Sequence, residues 1–345
     1  MAAPERYIVG VRFDTTYAGL PAEVVGVVEA AEAGGYDGLT IAELQHDPFV
    51  TATLACAQES QLRIGTSVAI AFARSPMTVA QTAWDLQRLS GGRFALGLGS
   101  QIEPHITRRF SMPWSKPAAR MREYIAAVNA IWDAWQDGTR LNFRGDFYTH
   151  TLMTPMFNPG PLRVSRPRIL LAAVGPLMIT VAAEAADGLI VHPFTTLGYL
   201  TDVLEPLVVD KLGERDRSDF ELIGQVMVAS GRDQSQIAAS VAAVKAQLAF
   251  YGSTPAYRPV LEHHGLGELG DELNRLSKRG EWTAMGERID DATFALFAVR
   301  GTPQECGADL VRRFGATYDR LSLTLMGASD AELAAGVVGA ARASG

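Results

Sequence analysis

The chain has 345 residues, of which 48% are hydrophobic and 20% charged, and its formal net charge at pH 7 is −7. This composition provides for a large apolar core and excludes a mainly disordered chain. Nucleic-acid-binding proteins usually carry a clustered basic face, so the acidic balance predicts no nucleic-acid partner. Two cysteines without disulfide or metal-site spacing, and no apolar stretch that reads as a signal peptide or membrane span, predict a cytoplasmic protein without membrane contact.

Strand and helix patterns alternate along the chain. Helices are predicted at 21–33, 77–89 and 121–135, where apolar residues recur every three or four positions. Strands are predicted at 8–13, 35–41, 62–71, 93–100, 169–173, 188–191, 222–229 and 320–325. Eight parallel strands with intervening helices make an α/β fold of the (β/α)8 TIM-barrel type the economical arrangement. A doubly wound open sheet shares this alternation and is the alternative.

Two segments interrupt the alternation, at about 139–167 and 252–288. The first is rich in Phe, Tyr, Asn, Pro and Gly, and the second contains helix-like pieces separated by glycines. Long insertions in a barrel usually lie at the carboxyl ends of the strands, where they form lids or substrate walls. No linker or repeat divides the chain, so residues 1–345 are predicted to form one domain.

The third and fourth strands carry small residues where a plain core strand would be branched. Gly65-Thr66-Ser67-Val68 interrupts the third strand, and the fourth ends in Gly97-Leu-Gly-Ser100. These runs resemble the bacterial luciferase-like flavin and deazaflavin oxidoreductases. In that family the third strand often has a bulge with a non-proline cis peptide that backs the cofactor ring. The resemblance therefore implies a bulge at Ser67-Val68-Ala69, a cis bond before Val68, and contact of these residues with the cofactor.

The end of the fourth strand begins like a dinucleotide-binding fingerprint, but Ile102 occupies the position of the third glycine. The resemblance explains the glycines differently, because in luciferase-like enzymes this strand end lies against the cofactor. It thus implies that Gly99, Ser100 and Gln101 bind the cofactor. The longer run over 96–124 is similar to an actinobacterial branch that uses coenzyme F420. F420 is therefore the expected cofactor, with FMN as the alternative.

The fifth strand runs directly into Val174-Gly175-Pro176-Leu177. Proline suits the first turn of a helix, whose free amides and dipole favour an anion. In the family this turn contributes to binding the phosphate-bearing tail of the cofactor, which assigns these four residues to cofactor binding. A simple Gly-Pro turn is the alternative.

Candidate acid–base groups follow the second strand. Relatives commonly place an acidic residue directly before a histidine here, whereas in this chain Leu44 follows Glu43, and His46 comes two places later. The proton-handling role of that histidine therefore does not carry over automatically. We predict His46 with Glu43 as the catalytic pair and His105, just after the fourth strand, as the reserve. His192, at the end of the sixth strand, is a weaker candidate. No grouping has metal-ligand spacing, so no metal is predicted.

These features predict an F420-dependent oxidoreductase that transfers a hydride between the deazaflavin and a small organic substrate. One alternative is an FMN-dependent luciferase-like monooxygenase. Another is a barrel that binds a cofactor or metabolite without catalysis. The resemblance also implies a homo-oligomer that pairs through helices beside the second to fourth strands.

Overall fold

Eight parallel strands form a closed barrel in the computed structural model, which describes residues 10–327 and 330–345. Each strand pairs with the next, and the eighth pairs with the first. This closure confirms the TIM barrel and rules out the doubly wound open sheet. The barrel strands are β1 (Arg12–Tyr17), β2 (Gly38–Ile41), β3 (Arg63–Thr66), β4 (Phe94–Gly99), β5 (Arg168–Ala173), β6 (Gly188–Val191), β7 (Glu221–Ser230) and β8 (Arg320–Leu325).

Helices surround the barrel and fill the longer connections. Several begin with a proline in the first turn, a position where the missing amide proton is not needed. Among the described residues, no helix is both long and apolar enough to cross a membrane. The helices of six or more residues are α1 (Val24–Ala33), α2 (Pro48–Cys56), α3 (Pro76–Leu89), α4 (Pro117–Asp137), α5 (Pro176–Ala185), α6 (Glu205–Leu212), α7 (Gln234–Gly252), α8 (Arg258–His263), α9 (Gly267–Arg279), α10 (Trp282–Glu287), α11 (Asp291–Phe297), α12 (Pro303–Phe314) and α13 (Ala331–Ser344).

The two predicted insertions have modest secondary structure of their own. The first contains a small antiparallel pair, Phe143–Arg144 with Thr149–His150. The second contains α8, α9 and α10. A short strand at Ala298–Gly301 pairs with the end of β7 outside the barrel.

The first strand differs from the prediction. It runs from Arg12 to Tyr17, whereas the pattern indicated 8–13; residues 8 and 9 lie outside the described residues. Asp14 and Thr16 make the segment polar, so its sequence pattern did not indicate a buried strand. Both side chains find polar partners inside the barrel: Asp14 pairs with Arg320, and Thr16 bonds to neighbouring hydroxyls.

Buried ion pairs close the amino-terminal end of the barrel. Arg320 donates from Nε to Asp14 Oδ2 at 2.7 Å, and Arg63 Nη1 lies 2.7 Å from both carboxylate oxygens of Glu221. Buried charges persist only when they are paired in this way. This end is therefore sealed by charge-compensated side chains, which leaves the opposite end as the mouth.

An apolar layer fills the interior above the ion pairs on the side of β4 to β7. Val68 and Ala172 pack against this layer and are only partly buried. They form the floor of the carboxyl-terminal mouth on that side. The layer consists of Ala95, Leu170, Ile190 and Ile223.

Candidate active site

A bulge interrupts the third strand where it reaches the mouth. Gly65 pairs with Ala95, and Ala69 pairs with Leu98, so four steps along one strand match three along the other. One extra residue is therefore inserted after β3. The Ser67–Val68 peptide bond within it is cis. Both features confirm the prediction for this segment.

Two glycines of β4 make room for the bulge. A Cβ atom on Gly97 would lie 1.8 Å from the carbonyl oxygen of Thr66, and one on Gly99 would lie 2.6 Å from Val68 Cγ2. The hydroxyl of Thr66 donates to Gly97 O and accepts from Gly97 N, at 2.7 and 2.9 Å. The glycines that resembled a nucleotide fingerprint therefore allow close approach between the bulge and β4.

The mouth is apolar on one side and polar on the other. Val68 and Ala172 cover the apolar layer, as described above. Across the barrel, Thr16 Oγ1 lies 2.8 Å from Thr40 Oγ1 and 3.0 Å from Ser322 Oγ. Between the two sides, Gln225 Nε2 donates to Ser67 Oγ at 3.2 Å. A flat, partly polar ring system could rest on this floor with its heteroatoms toward the hydroxyls.

The other residues predicted from the fourth strand follow its end. Ser100 is partly buried and donates to Gln101 O at 3.1 Å. Gln101 is exposed with φ of 58°, and its side chain caps the amide of Ile102. Ala69 is buried and pairs with β4, so it contributes backbone rather than a side chain to the mouth.

The turn between β5 and α5 is open to solvent. Gly175 is the N-cap of α5 and provides no capping side chain; Pro176 and Leu177 begin the helix. A Cβ atom on Gly175 would meet nothing within 4 Å. Pro176 has no amide proton and Met178 N already donates to Gly175 O at 3.1 Å, so the Leu177 amide and the helix dipole are what this turn offers to an anion. With Val174 at the end of β5, this turn lies at the same edge of the barrel as the bulge.

Glu43 is a support of the bulge. Its carboxylate accepts from Ile70 N at 2.7 Å and from Arg74 Nη1 and Nη2 at 2.7 and 3.0 Å. Arg74 also pairs with Asp47, the N-cap of α2. Both carboxylate oxygens of Glu43 are thus engaged, and the geometry gives no support to the proton-transfer role predicted for this residue.

His46 and His105 lie on two loops that meet. Arg109, in the turn His105–Arg109, donates from Nη2 to Leu44 O at 2.7 Å, which joins the loop after β4 to the loop after β2. His46 is partly buried and His105 is exposed. Neither imidazole makes a hydrogen bond within the described part of the chain. Both imidazole rings are therefore available to contact a ligand, but no hydrogen bond holds either ring in one orientation.

Of the three histidines predicted near the mouth, His192 makes the most contacts, although it was the weaker candidate from the sequence. It follows β6 directly, two residues after Ile190 of the interior layer, and alternation places both on the inner face. Its Nδ1 accepts from Phe194 N at 3.1 Å, and its Nε2 lies 2.9 Å from Tyr257 Oη. The Tyr257 ring stacks on the imidazole at 4.4 Å.

Burial sets the protonation of this pair. It lowers the pKa of His192 to about 4 and raises the pKa of Tyr257 to about 12. Both groups are therefore neutral near pH 7. The position of His192 after a strand was a signal for an inward side chain. Tyr257 lies in the second insertion, and nothing in its local sequence indicates this partner.

Within residues 10–327 and 330–345, no three His, Cys, Asp or Glu side chains are grouped as ligands for a metal ion.

Residues 8–320 match the family model described as luciferase-like monooxygenase. The chain belongs to this luciferase-like family. Its members are oxidoreductases or monooxygenases. An uncharacterized protein of Mycobacterium tuberculosis is 50% identical over 315 residues, which cover 90% of this chain and 93% of the relative. A putative coenzyme F420-dependent oxidoreductase of the same organism is 29% identical over 317 residues, covering 87% and 88%.

Solved structures of the luciferase-like family share the fold. The coenzyme F420-dependent tetrahydromethanopterin reductase of Methanopyrus kandleri superposes with a TM-score of 0.77 at 17% identity, over 95% of this chain and 97% of the reductase. At this identity the likeness establishes the luciferase-like barrel alone.

Proposed function

We propose that this protein is an F420-dependent oxidoreductase that transfers a hydride between the deazaflavin and a small organic substrate. The observation that carries the proposal is the meeting of two features at one barrel mouth. One is the bulge at Ser67–Val68 pressed against Gly99. The other is the open amino terminus of α5 at Gly175. The first suits a flat ring and the second an anionic group.

The side chains at the mouth fit such a cofactor. Val68 and Ala172 would support the ring from below, and the amide of Gln225 with the hydroxyls of Thr16 and Thr40 would meet its polar edge. The Leu177 amide and the dipole of α5 would hold a phosphate, since Gly175 leaves space for close approach. The 29% identical relative, itself named for F420, supports this cofactor over FMN.

The bound deazaflavin would supply two-electron hydride chemistry. The residues of the chain would then bind the substrate over the ring, exclude water and handle the proton that accompanies the hydride. The apolar layer beneath Val68 excludes water from below, because its four side chains are buried.

An FMN-dependent monooxygenase is the second candidate, and the description of the matching family model favours it. Ring support and phosphate binding at this mouth would serve FMN equally well. The two candidate functions differ in the cofactor that binds and in whether the reaction requires oxygen.

Parallel binding measurements test the proposal. Purified protein is titrated with F420 and with FMN, and binding is followed by the change in cofactor fluorescence. We expect F420 to bind more tightly and its reduced form to be oxidised under anaerobic conditions by an organic acceptor. Preferential binding of FMN, with turnover that requires oxygen, would replace this proposal with the monooxygenase.

A further inference from the structure

We propose that the phenol of Tyr257, held by His192, is the proton donor at this site and that the substrate is a ketone or the corresponding secondary alcohol. This inference rests on the proposed function, which supplies the hydride donor. It assigns the proton to Tyr257, which the sequence did not indicate, and to its partner His192, the weaker candidate, in place of the loop histidines.

The hydrogen bonds of His192 determine which way the proton of Tyr257 points. The amide of Phe194 donates to Nδ1, so that nitrogen carries no proton. The neutral ring must then carry its proton on Nε2, which donates to Tyr257 Oη at 2.9 Å. The phenolic proton is not used in this bond. No other hydrogen-bond partner of Tyr257 Oη is present among the described residues, so its O–H can donate into the mouth.

The surroundings place this donor beside an apolar binding wall. His192 lies above Ile190 on the inner face of the barrel, and Tyr257 stacks on it. The Tyr251 ring centroid lies 4.8 Å from that of His192 and 5.8 Å from that of Tyr257, and the Phe194 centroid lies 5.6 Å from that of Tyr257. A substrate with an apolar or aromatic body would contact these rings and direct its oxygen at Tyr257.

The pKa of Tyr257, about 12 because of burial, suits an alkoxide as proton acceptor. In the reduction, hydride adds to the carbonyl carbon, the π pair moves to oxygen, and oxygen takes the proton of Tyr257. The resulting phenolate is stabilised by the Nε2–H of His192 and takes a proton from water. Alcohol oxidation reverses these steps. Because this phenol stays protonated across the neutral range, its ability to donate a proton does not depend on pH there.

The test uses the dead-end complex of oxidised F420 with acetophenone labelled with ¹³C at the carbonyl. A hydrogen bond from Tyr257 lowers the carbonyl stretching frequency, which infrared difference spectroscopy measures without turnover. We expect the shift in the wild-type protein, its loss in Tyr257→Phe, and its retention in Tyr36→Phe, a partly buried phenol before β2 at the opposite end of the barrel. Because His192 acts through Tyr257, His192→Phe should reduce the shift and leave F420 affinity unchanged.

Steady-state reduction of acetophenone provides the second readout. Tyr257→Phe should lower kcat by about 10²- to 10⁴-fold, the usual contribution of a positioned acid. Its remaining activity should rise as pH falls, whereas the wild-type rate stays level from pH ~6 to ~10, below the raised pKa. An unchanged carbonyl shift in Tyr257→Phe, or failure of acetophenone to bind the F420-loaded wild type, would overturn the proposal. Failure of F420 itself to bind would instead overturn the proposed function.

Discussion

Glu43 and Arg74 form a bidentate ion pair with N–O distances of 2.7 and 3.0 Å beneath the bulge of the third strand. The same carboxylate accepts from the amide of Ile70, which follows the bulge. The pair thus ties the loop after β2 to the segment that lines the mouth. Glu43 is 9% exposed, so its charge depends on these donors.

Arg74→Ala should destabilise the protein by about 3–5 kcal/mol, because it leaves a buried carboxylate with one donor. Urea unfolding measures the loss. Arg122→Ala is the matched control, since Arg122 pairs with Glu184 at the surface, and it should cost about 1 kcal/mol or less. Equal losses for the two variants would mean that the Glu43 pair is not a buried support.

Seven of the eight barrel strands could be predicted because their apolar runs reflect burial on both faces. The first was misplaced because Asp14 and Thr16 face inward and are satisfied by residues about 24 and 306 positions away. Such pairing is a property of the closed barrel. No local pattern reveals it.

The candidate site, like the fold, could be predicted from the sequence only in part. Small residues in β3 and β4 indicated the bulge, since only close backbone approach requires them. The partnership of His192 with Tyr257 spans 65 residues and depends on how the second insertion folds back over β6. The contacts of Glu43 could not be predicted for a related reason: its partner, Arg74, lies beyond the next strand.

Gly99→Ala should displace Val68, because the added Cβ would lie 2.6 Å from Val68 Cγ2. Overpacking of this kind costs about 1–3 kcal/mol. If the bulge supports the cofactor, F420 affinity should also fall by about tenfold, or about 1.4 kcal/mol. The double variant Val68→Ala/Gly99→Ala should regain stability, which thermal unfolding reports. A folded Gly99→Ala protein with unaltered F420 affinity would remove the bulge from the cofactor site.

Gly175→Asp should weaken binding of the cofactor at its phosphate and leave the fold intact. Residue 175 has open space around it, so a carboxylate fits but repels an anion at the start of α5. We expect F420 affinity to fall by about a hundredfold, near 3 kcal/mol. Gly26→Asp is the control, because Gly26 is exposed in the first turn of α1 with similar space. Equal F420 affinities of the two variants would exclude a phosphate at Gly175.

A homodimer through the helices beside β2 to β4 remains our expectation. In the structure α2 packs between α1 and α3, and its outer face exposes Val50 and Leu54, one turn apart. Val50→Glu/Leu54→Glu should therefore convert a dimer into a monomer, as measured by light scattering at micromolar concentration. Val209→Glu, at an equally exposed valine on α6, should leave the dimer intact. A monomeric wild-type protein would contradict the expectation.

Burial of His192 should make stability depend on pH in the mildly acidic range. Its pKa is about 4 in the folded protein and about 6.5 in an unfolded chain. Between these values the unfolded chain binds the extra proton, so the free energy of unfolding falls as pH decreases from about 6.5 to 4. The loss from this group is at most about 3 kcal/mol, since each pKa unit corresponds to about 1.4 kcal/mol.

Urea unfolding of the wild type and His192→Phe at pH 7, 6, 5 and 4 isolates this contribution. As pH falls, the wild type should lose up to about 3 kcal/mol of unfolding free energy relative to the variant, because phenylalanine takes up no proton. His105→Phe replaces an exposed ring and should follow the wild-type pH dependence. A constant difference between the wild type and His192→Phe would show that the imidazole is protonated as readily in the folded protein as in the unfolded chain.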